Sequence, residues 1–207
     1  MLKKLLSLLT GERAAGQVVV VSGLPRSGTS LMMQMLDAGG LAPLSDGERT
    51  RDEDNPRGYY EFERVKKLKS GDTGWVAEAV GRAVKVVSAQ LEHLPGGYHY
   101  RVVFMDRDLD EVLASQRKML DHRGQEERVE DAEMKRIFRH HLRQVREWLA
   151  AQPNFEALEV RFDQVIQSPE PAVRELCEFL GRELDRRKMA EVVDPDLYRN
   201  RATDTKD

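Results

Sequence analysis

The sequence predicts an α/β protein, in which helices flank a mainly parallel central sheet. Three observations support this fold class. Residues 18–21 are four consecutive valines, the pattern of a central parallel strand that is covered on both faces. A loop with two glycines follows at residues 23–30 and leads into a helix with an apolar side. Further short apolar segments alternate downstream with helical patterns, as expected for βαβ units.

The remaining elements follow in chain order. After the first strand, strands are predicted at residues 83–87, 100–105 and 157–162. Beyond the helix that the loop opens, helices are predicted at 61–68, 75–80, from 108 onward, at 126–151 and at 171–180. Asp108 can cap its helix, with Glu111 completing a capping box, and Gly181 ends the last helix. The long connection at 39–60 is typical of a functional or disordered loop.

The loop at residues 23–30 has the features of an anion-binding site. Gly23 and Gly28 allow the backbone to approach a ligand, and the N–H groups at the start of the next helix favour negative charge. The glycine spacing is that of a nucleotide-binding P-loop, but Thr29 stands where that loop has its lysine. The loop's cation is Arg26. The pattern therefore predicts a phosphate-like anion more strongly than ATP or GTP.

A second anion site is predicted where the third strand meets its helix. Arg107 stands at the carboxyl end of that strand, where ligands bind in open α/β sheets. Ser115 lies two helical turns beyond Asp108 and on the same side of the helix. Arg107 and Ser115 could flank one anion. The alternative is an ion pair for Arg107 and a solvated Ser115.

These residues resemble the sulfotransferase family, in particular its small bacterial members. The loop sequence PRSGTS resembles the sulfotransferase loop that grips the 5′-phosphosulfate of 3′-phosphoadenosine 5′-phosphosulfate (PAPS). The family also carries an arginine at a strand end and a serine eight residues later, which matches Arg107 and Ser115. Segments 55–61, 160–169 and 197–201 are similar too, so that the resemblance runs from about residue 18 to residue 201.

The resemblance implies a P-loop three-layer fold and PAPS as co-substrate. Arg107 and Ser115 are then expected to bind the 3′-phosphate. The expected PAPS-binding residues are Pro25, Arg26, Ser27, Gly28, Thr29, Ser30, Arg107, Ser115, Arg199 and Arg201. No Asp, His or Cys cluster has metal-ligand spacing, so no metal is expected.

Sulfuryl transfer resembles phosphoryl transfer, in which cations stabilise the transferred group and the leaving phosphate. Arg26 supplies one cation. Lys85 is the second candidate, because it matches a lysine that contacts the transferred group in cytosolic sulfotransferases. The alternative is an edge-strand lysine that faces water.

The general base is predicted to be a glutamate. Cytosolic sulfotransferases place a histidine shortly after the lysine, but that region holds no histidine here. Other family members use a glutamate near the loop, and Glu61 is favoured because it follows the turn sequence NPRGYY. Glu48 is the second candidate. The remaining histidines considered are His93, next to Leu94 and Pro95, and His140 and His141, which are expected on the surface of a charged helix.

Composition narrows the class of protein. Of 207 residues, 33 are Lys or Arg and 36 are Asp or Glu, and this balance argues against a nucleic-acid partner. The lone cysteine, Cys177, lies on an apolar helix stripe and suits a buried thiol in a reducing cytoplasm. No stretch is long enough to span a membrane. We expect one domain over 1–207, with an amphipathic segment at 1–16 and an irregular tail at 195–207.

The sequence therefore predicts a PAPS-dependent sulfotransferase. The acceptor could be a small molecule, a sugar, a lipid or a peptide, and the oligomeric state is left open. Two alternatives remain. One is a small-molecule kinase, with Asp106 as a weak candidate for binding Mg²⁺, and the other is a PAPS-binding protein without activity.

Overall fold

A computed structural model of the protein describes residues 16–48, 58–122, 124 and 129–194. Within this part of the chain, one sheet has the strand order β2-β1-β3-β4, and every pairing in it is parallel. Its strands are β1 Gln17–Gly23, β2 Ala83–Lys85, β3 His99–Asp106 and β4 Phe155–Arg161. The α/β prediction is confirmed. Residues 1–15 of the predicted segment 1–16 lie outside the described residues, as do the predicted tail 195–207 with Arg199 and Arg201, and residues 55–57.

Helices occupy both faces of this sheet. The α-helices of the described residues are α1 Thr29–Ala38, α2 Leu109–His122, α3 Asp131–Ala151, α4 Phe162–Gln167, α5 Pro169–Leu180 and α6 Arg186–Glu191. Three further segments are 3₁₀-helices: Glu63–Ser70, Gly74–Ala79 and Ser88–His93. Asp108 caps α2 by accepting hydrogen bonds from the backbone N–H groups of Asp110 and Glu111. Gly181 ends α5 in the left-handed conformation, with a φ of 61°.

Two apolar cores sandwich the sheet. The valines of β1 are completely buried and alternate between the cores, with Val18 and Val20 on one side and Val19 and Val21 on the other. The first core packs beneath α3 and the 3₁₀-helices, and the second beneath α1, α4, α5 and α6. Cys177 is buried in the second core, as predicted. This two-sided burial explains the uninterrupted valines of β1.

Several predicted boundaries differ from the structure. β2 ends at Lys85, because the chain turns into a 3₁₀-helix at Ser88. Phe162 does not end β4 but begins α4. Helix α3 starts at Asp131 and not at residue 126, and Ile137 on this helix is 44% exposed. Such shifts are expected where local propensity is weak and tertiary packing decides.

The strand register aligns the carboxyl ends of the strands along one edge of the sheet. Val21 pairs with Lys85 on one side and with Val103 on the other, and Gly23 pairs with Met105. After β1 the chain first crosses to one side, to β2, and then returns to the other, to β3. The loop after β1 therefore stands at a topological switch point, the usual ligand site of open α/β sheets.

Candidate functional site

The two glycines of the loop are needed for packing as well as for backbone conformation. A Cβ atom on Gly23 would lie 2.5 Å from Ser27 Oγ and 2.6 Å from the carbonyl oxygen of Met105. A Cβ atom on Gly28 would overlap the ring of Phe162. Both glycines also have a positive φ, 144° and 99° respectively. The loop therefore passes closer to β3 and α4 than a larger residue would allow.

The loop presents the N-terminus of α1. Gly28 is the N-cap residue, and its carbonyl accepts the first helical hydrogen bond, from the backbone N–H of Met32 at 3.1 Å. The N–H groups at the start of a helix have no intrahelical acceptor, and the helix dipole favours an anion there. Two buried hydroxyls, those of Ser22 and Ser27, have no hydrogen-bond partner among the described residues. These donors and the close glycine backbone fit a phosphate-like group.

Arg26 lies at the centre of the site. Its Nε donates a hydrogen bond to Ser115 Oγ at 2.9 Å, and its carbonyl oxygen accepts one from Arg107 Nη1 at 3.1 Å. Its φ of 69° is uncommon for a residue other than glycine and costs free energy that the surrounding contacts must offset. The structure thus joins the loop to both residues of the second predicted anion site.

Arg107 is buried and paired. Its Nε lies 3.0 Å from Glu111 Oε2, and both side chains are less than a tenth exposed. Its guanidinium carbon lies 4.3 Å from the ring centroid of Phe162. The ion pair considered as the alternative for Arg107 is therefore present, and it uses the carboxylate that the sequence assigned to a capping box. The alternative of a solvated Ser115 is wrong, because that side chain is buried and bonds to Arg26.

Lys85 points toward the loop and not toward water. Its side chain is only 8% exposed. Nζ donates hydrogen bonds to Ser30 Oγ at 3.4 Å and to the backbone carbonyl of Tyr59, and it lies 3.6 Å from Glu61 Oε1. An ammonium group held among such acceptors compensates for its burial. The solvent-facing alternative for Lys85 is wrong.

The two candidate glutamates have different surroundings. Glu61 is about one-fifth exposed and lies between two lysines, since its Oε2 is also 4.0 Å from Lys66 Nζ. Its backbone carbonyl accepts a hydrogen bond from Ser45 Oγ at 2.9 Å. Glu48 is exposed, and its backbone N–H donates to Asp46 Oδ1. Of the two, the structure brings Glu61 to Lys85.

One histidine differs from expectation. His140 is exposed, as predicted, but His141 is partly buried, and its Nε2 lies 2.8 Å from Ser88 Oγ. Burial lowers the pKa of His141, while the Glu92 carboxylate acts in the opposite direction. His93 lies 3.8 Å from Glu92. Sequence reasoning missed the Ser88–His141 pair, because its members are 53 positions apart and neither belongs to a local motif.

The aspartate considered for Mg²⁺ binding is engaged by an arginine. Asp106 Oδ1 lies 3.2 Å from Arg146 Nη2, beside an open cavity of about 790 Å³ that Arg107 also lines. Over residues 16–48, 58–122, 124 and 129–194, no group of three His, Cys, Asp or Glu side chains is arranged to hold a metal ion. In the same ranges, no helix has the length and apolar character needed to cross a membrane.

Comparison with known proteins adds evidence from outside the chain. The family model described as "Sulfotransferase family" matches residues 99–186, a segment that contains Arg107 and Ser115. Over this segment, the chain is similar to the sulfotransferase family. Among solved structures, the chain is similar to the sulfotransferase domain from the curacin biosynthetic pathway, with 14% identity and a TM-score of 0.51. That alignment covers 88% of this chain and 79% of that domain.

The chain is also similar to a sugar kinase from Janibacter sp., with 14% identity over 88% of this chain and 98% of the kinase. The TM-score of that match is only 0.40, so we draw nothing from it. No curated protein matches the chain. The family and the fold support a transferase and sulfotransfer in general.

Proposed function

We propose that this protein transfers the sulfuryl group of PAPS to a hydroxyl or amine of an acceptor. The observation that carries the proposal is the position of Arg26, which bonds to Ser115 through its side chain and to Arg107 through its carbonyl. PAPS carries its 5′-phosphosulfate and its 3′-phosphate on one ribose. A protein that binds it needs two anion sites side by side, and Arg26 links two candidate sites.

The loop and the start of α1 would hold the 5′-phosphosulfate. Backbone N–H groups from Gly28 onward and the hydroxyls of Ser27, Thr29 and Ser30 are the donors, and Pro25 shapes the turn. Nearby, Arg107 and Ser115 would hold the 3′-phosphate. A guanidinium has several N–H donors, so Arg107 can serve Glu111, the Arg26 carbonyl and a phosphate together. Arg199 and Arg201, which lie outside the described residues, are proposed to add to this site.

Two cations would stabilise the charge that develops during transfer. The acceptor oxygen or nitrogen forms a bond to sulfur, and the bond from sulfur to the 5′-phosphate oxygen breaks. Arg26 lies within the loop, and Lys85 Nζ reaches Ser30 in the first turn of α1. Preorganised donors at the leaving phosphate and the sulfuryl oxygens are the main contribution a protein makes to such a reaction.

Glu61 is the proposed general base. It lies next to Lys85, the residue expected to contact the transferred group, and its backbone is anchored by Ser45. The proton that leaves the acceptor would pass to its carboxylate. Glu48 is the less favoured candidate, since it is exposed and its backbone N–H bonds to the nearby Asp46.

Calorimetric titration tests the donor assignment directly. We expect the desulfated product, 3′-phosphoadenosine 5′-phosphate (PAP), to bind much more tightly than AMP or ATP, because only PAP engages both anion sites. Equal affinity for PAP and AMP would contradict the 3′-phosphate site. Consumption of PAPS with a panel of acceptors, followed by mass spectrometry, then separates an active transferase from a protein that only binds the nucleotide.

A further inference from the structure

The hydrogen-bonded pair Ser88–His141 lies at the same edge of the sheet as the proposed reaction centre. Ser88 follows Lys85 by three residues, just beyond the carboxyl end of β2. Between them, the backbone N–H of Val86 donates to the carbonyl of Val21 at 2.9 Å, so the chain stays beside the end of β1. The hydroxyl of Ser88 is therefore held close to the segment that carries Lys85.

The direction of α3 places His141 over this edge. Arg146 contacts Asp106, the last residue of β3, whereas Trp148, further along α3, packs on Phe155 at the start of β4. Helix α3 thus runs from the carboxyl edge of the sheet toward the amino edge. His141 precedes Arg146 by five residues, a rise of about 7.5 Å along the helix, which takes it beyond the carboxyl edge.

Exposed apolar side chains flank the pair. Among the described residues, the large apolar side chains that are exposed are those of Val80, Val87 and Ile137. Val87 is next to Ser88 in the chain, and Ile137 lies one helical turn before His141 on the same face of α3. Val80 lies elsewhere, bridged to Val18 near the start of β1. Two of the three are therefore close in the chain to a member of the Ser88–His141 pair, in which Ser88 is buried and His141 partly buried.

We propose that Ser88, His141, Val87 and Ile137 form the surface that binds the acceptor, and that the acceptor is an uncharged, largely apolar compound with a hydroxyl group. This inference rests on the proposed function. The apolar side chains would cover the body of the acceptor, while the Ser88–His141 pair offers a hydrogen bond to its hydroxyl. Burial favours the neutral form of the imidazole, which suits an uncharged ligand better than an anion. In this role His141 determines specificity, and the proton still passes to Glu61.

Binding of 2-naphthol to the PAP-loaded protein, measured by titration, tests this surface. Ile137→Glu and Val87→Glu place a carboxylate in the apolar surface, and each should weaken 2-naphthol binding at least about tenfold. Val80→Glu is the matched control, because it puts the same charge on an exposed valine away from the pair. PAP affinity should be the same in all three variants. The sugar glucosamine, used as a second probe, should bind more weakly than 2-naphthol.

In turnover assays, His141→Gln should raise the KM for 2-naphthol more than it lowers kcat, since the proposed residue binds acceptor and takes no proton. Absence of 2-naphthol binding, or an equal loss in Val80→Glu, would overturn the surface. So would a preference for glucosamine over 2-naphthol. Failure of the PAP titration is a separate result, because it would contradict the proposed donor and leave naphthol binding to be measured in the unliganded protein.

Discussion

Arg26 Nε donates a hydrogen bond to Ser115 Oγ at 2.9 Å, although the two residues are 89 positions apart in the chain. The bond connects the loop after β1 with the middle of α2. If Ser115 binds the 3′-phosphate as proposed, its O–H can donate to that phosphate while its oxygen still accepts from Arg26. The bond to Arg26 would then orient the Ser115 hydroxyl and keep the guanidinium in place beside the loop.

Arg107→Ala should lower PAP affinity by about 1.5–3 kcal/mol, the usual contribution of a hydrogen bond to a charged group. AMP affinity should change little, because AMP has no 3′-phosphate. Titration of both ligands checks the selectivity. The variant also leaves Glu111 buried without its guanidinium, so we expect it to be less stable. The double variant Arg107→Ala, Glu111→Ala should recover stability without recovering PAP affinity. Full recovery of PAP affinity would show that the loss was only structural.

Lys85→Met should lower kcat by about 10²–10³-fold, the effect of removing one donor from a preorganised charge-stabilising site. Methionine keeps most of the side-chain volume and removes the ammonium that reaches Ser30 and Glu61. Steady-state kinetics with PAPS provides the measurement. Lys66→Met is the control, since Lys66 also approaches Glu61 but is largely exposed. Equal effects of the two substitutions would contradict a specific role for Lys85.

Glu61→Gln should keep PAP affinity and lower turnover by about 10²–10⁴-fold, the usual contribution of a general base. In the proposed site, the nucleotide is held by the loop, Arg107 and Ser115, none of which needs this carboxylate. PAP titration and the rate of sulfuryl transfer are the two readouts. Glu48→Gln is the paired control and should be close to the parent protein. If only Glu48→Gln lost activity, the role would pass to Glu48.

Binding of PAP and turnover should survive EDTA, because the proposed site stabilises anions with arginine, lysine and backbone N–H groups. Activity before and after chelation, followed by addition of Mg²⁺, gives the measurement. Strict dependence on Mg²⁺ would favour a kinase-like reaction.

The stability of the protein should depend on His141 in mildly acidic solution. Its pKa is lowered by burial, so the folded protein binds fewer protons than the unfolded chain between the two pKa values. The stabilising contribution is therefore complete above the unfolded pKa of about 6.5 and is lost as pH falls through the folded-state pKa. In urea unfolding, the free energy of unfolding of His141→Gln should fall less over this pH interval than that of the parent protein. His140→Gln, at an exposed position, should follow the parent curve.

Local patterns were enough to predict β1, its loop and the strand end at Arg107. The valines of β1 are buried on both sides, and the glycines are tightly packed, so each element has a signature in adjacent residues. The orientation of the Lys85 side chain could not be predicted from such adjacent residues. Its strand has only three residues, too few for an alternating pattern, and its partners come from α1 and from the segment at Tyr59 and Glu61.

Contacts between distant segments account for the rest. The sequence alone could not decide whether Arg107 forms an ion pair with Glu111, because a carboxylate four residues away suits a helix cap and an arginine equally well. The exposure of Ile137 depends on which part of α3 extends beyond the sheet. Ser88 and His141 meet only because α3 crosses the segment after β2. None of these relationships has a signal in neighbouring residues.

The ring of Phe162 touches both candidate anion sites. It fills the space above Gly28 on one side and lies beneath the guanidinium of Arg107 on the other. The ring thereby acts as a spacer between the loop and Arg107, and in the proposed site it would set the separation between the two phosphate positions. A smaller residue at this position would change which nucleotide fits, even with every charged group in place.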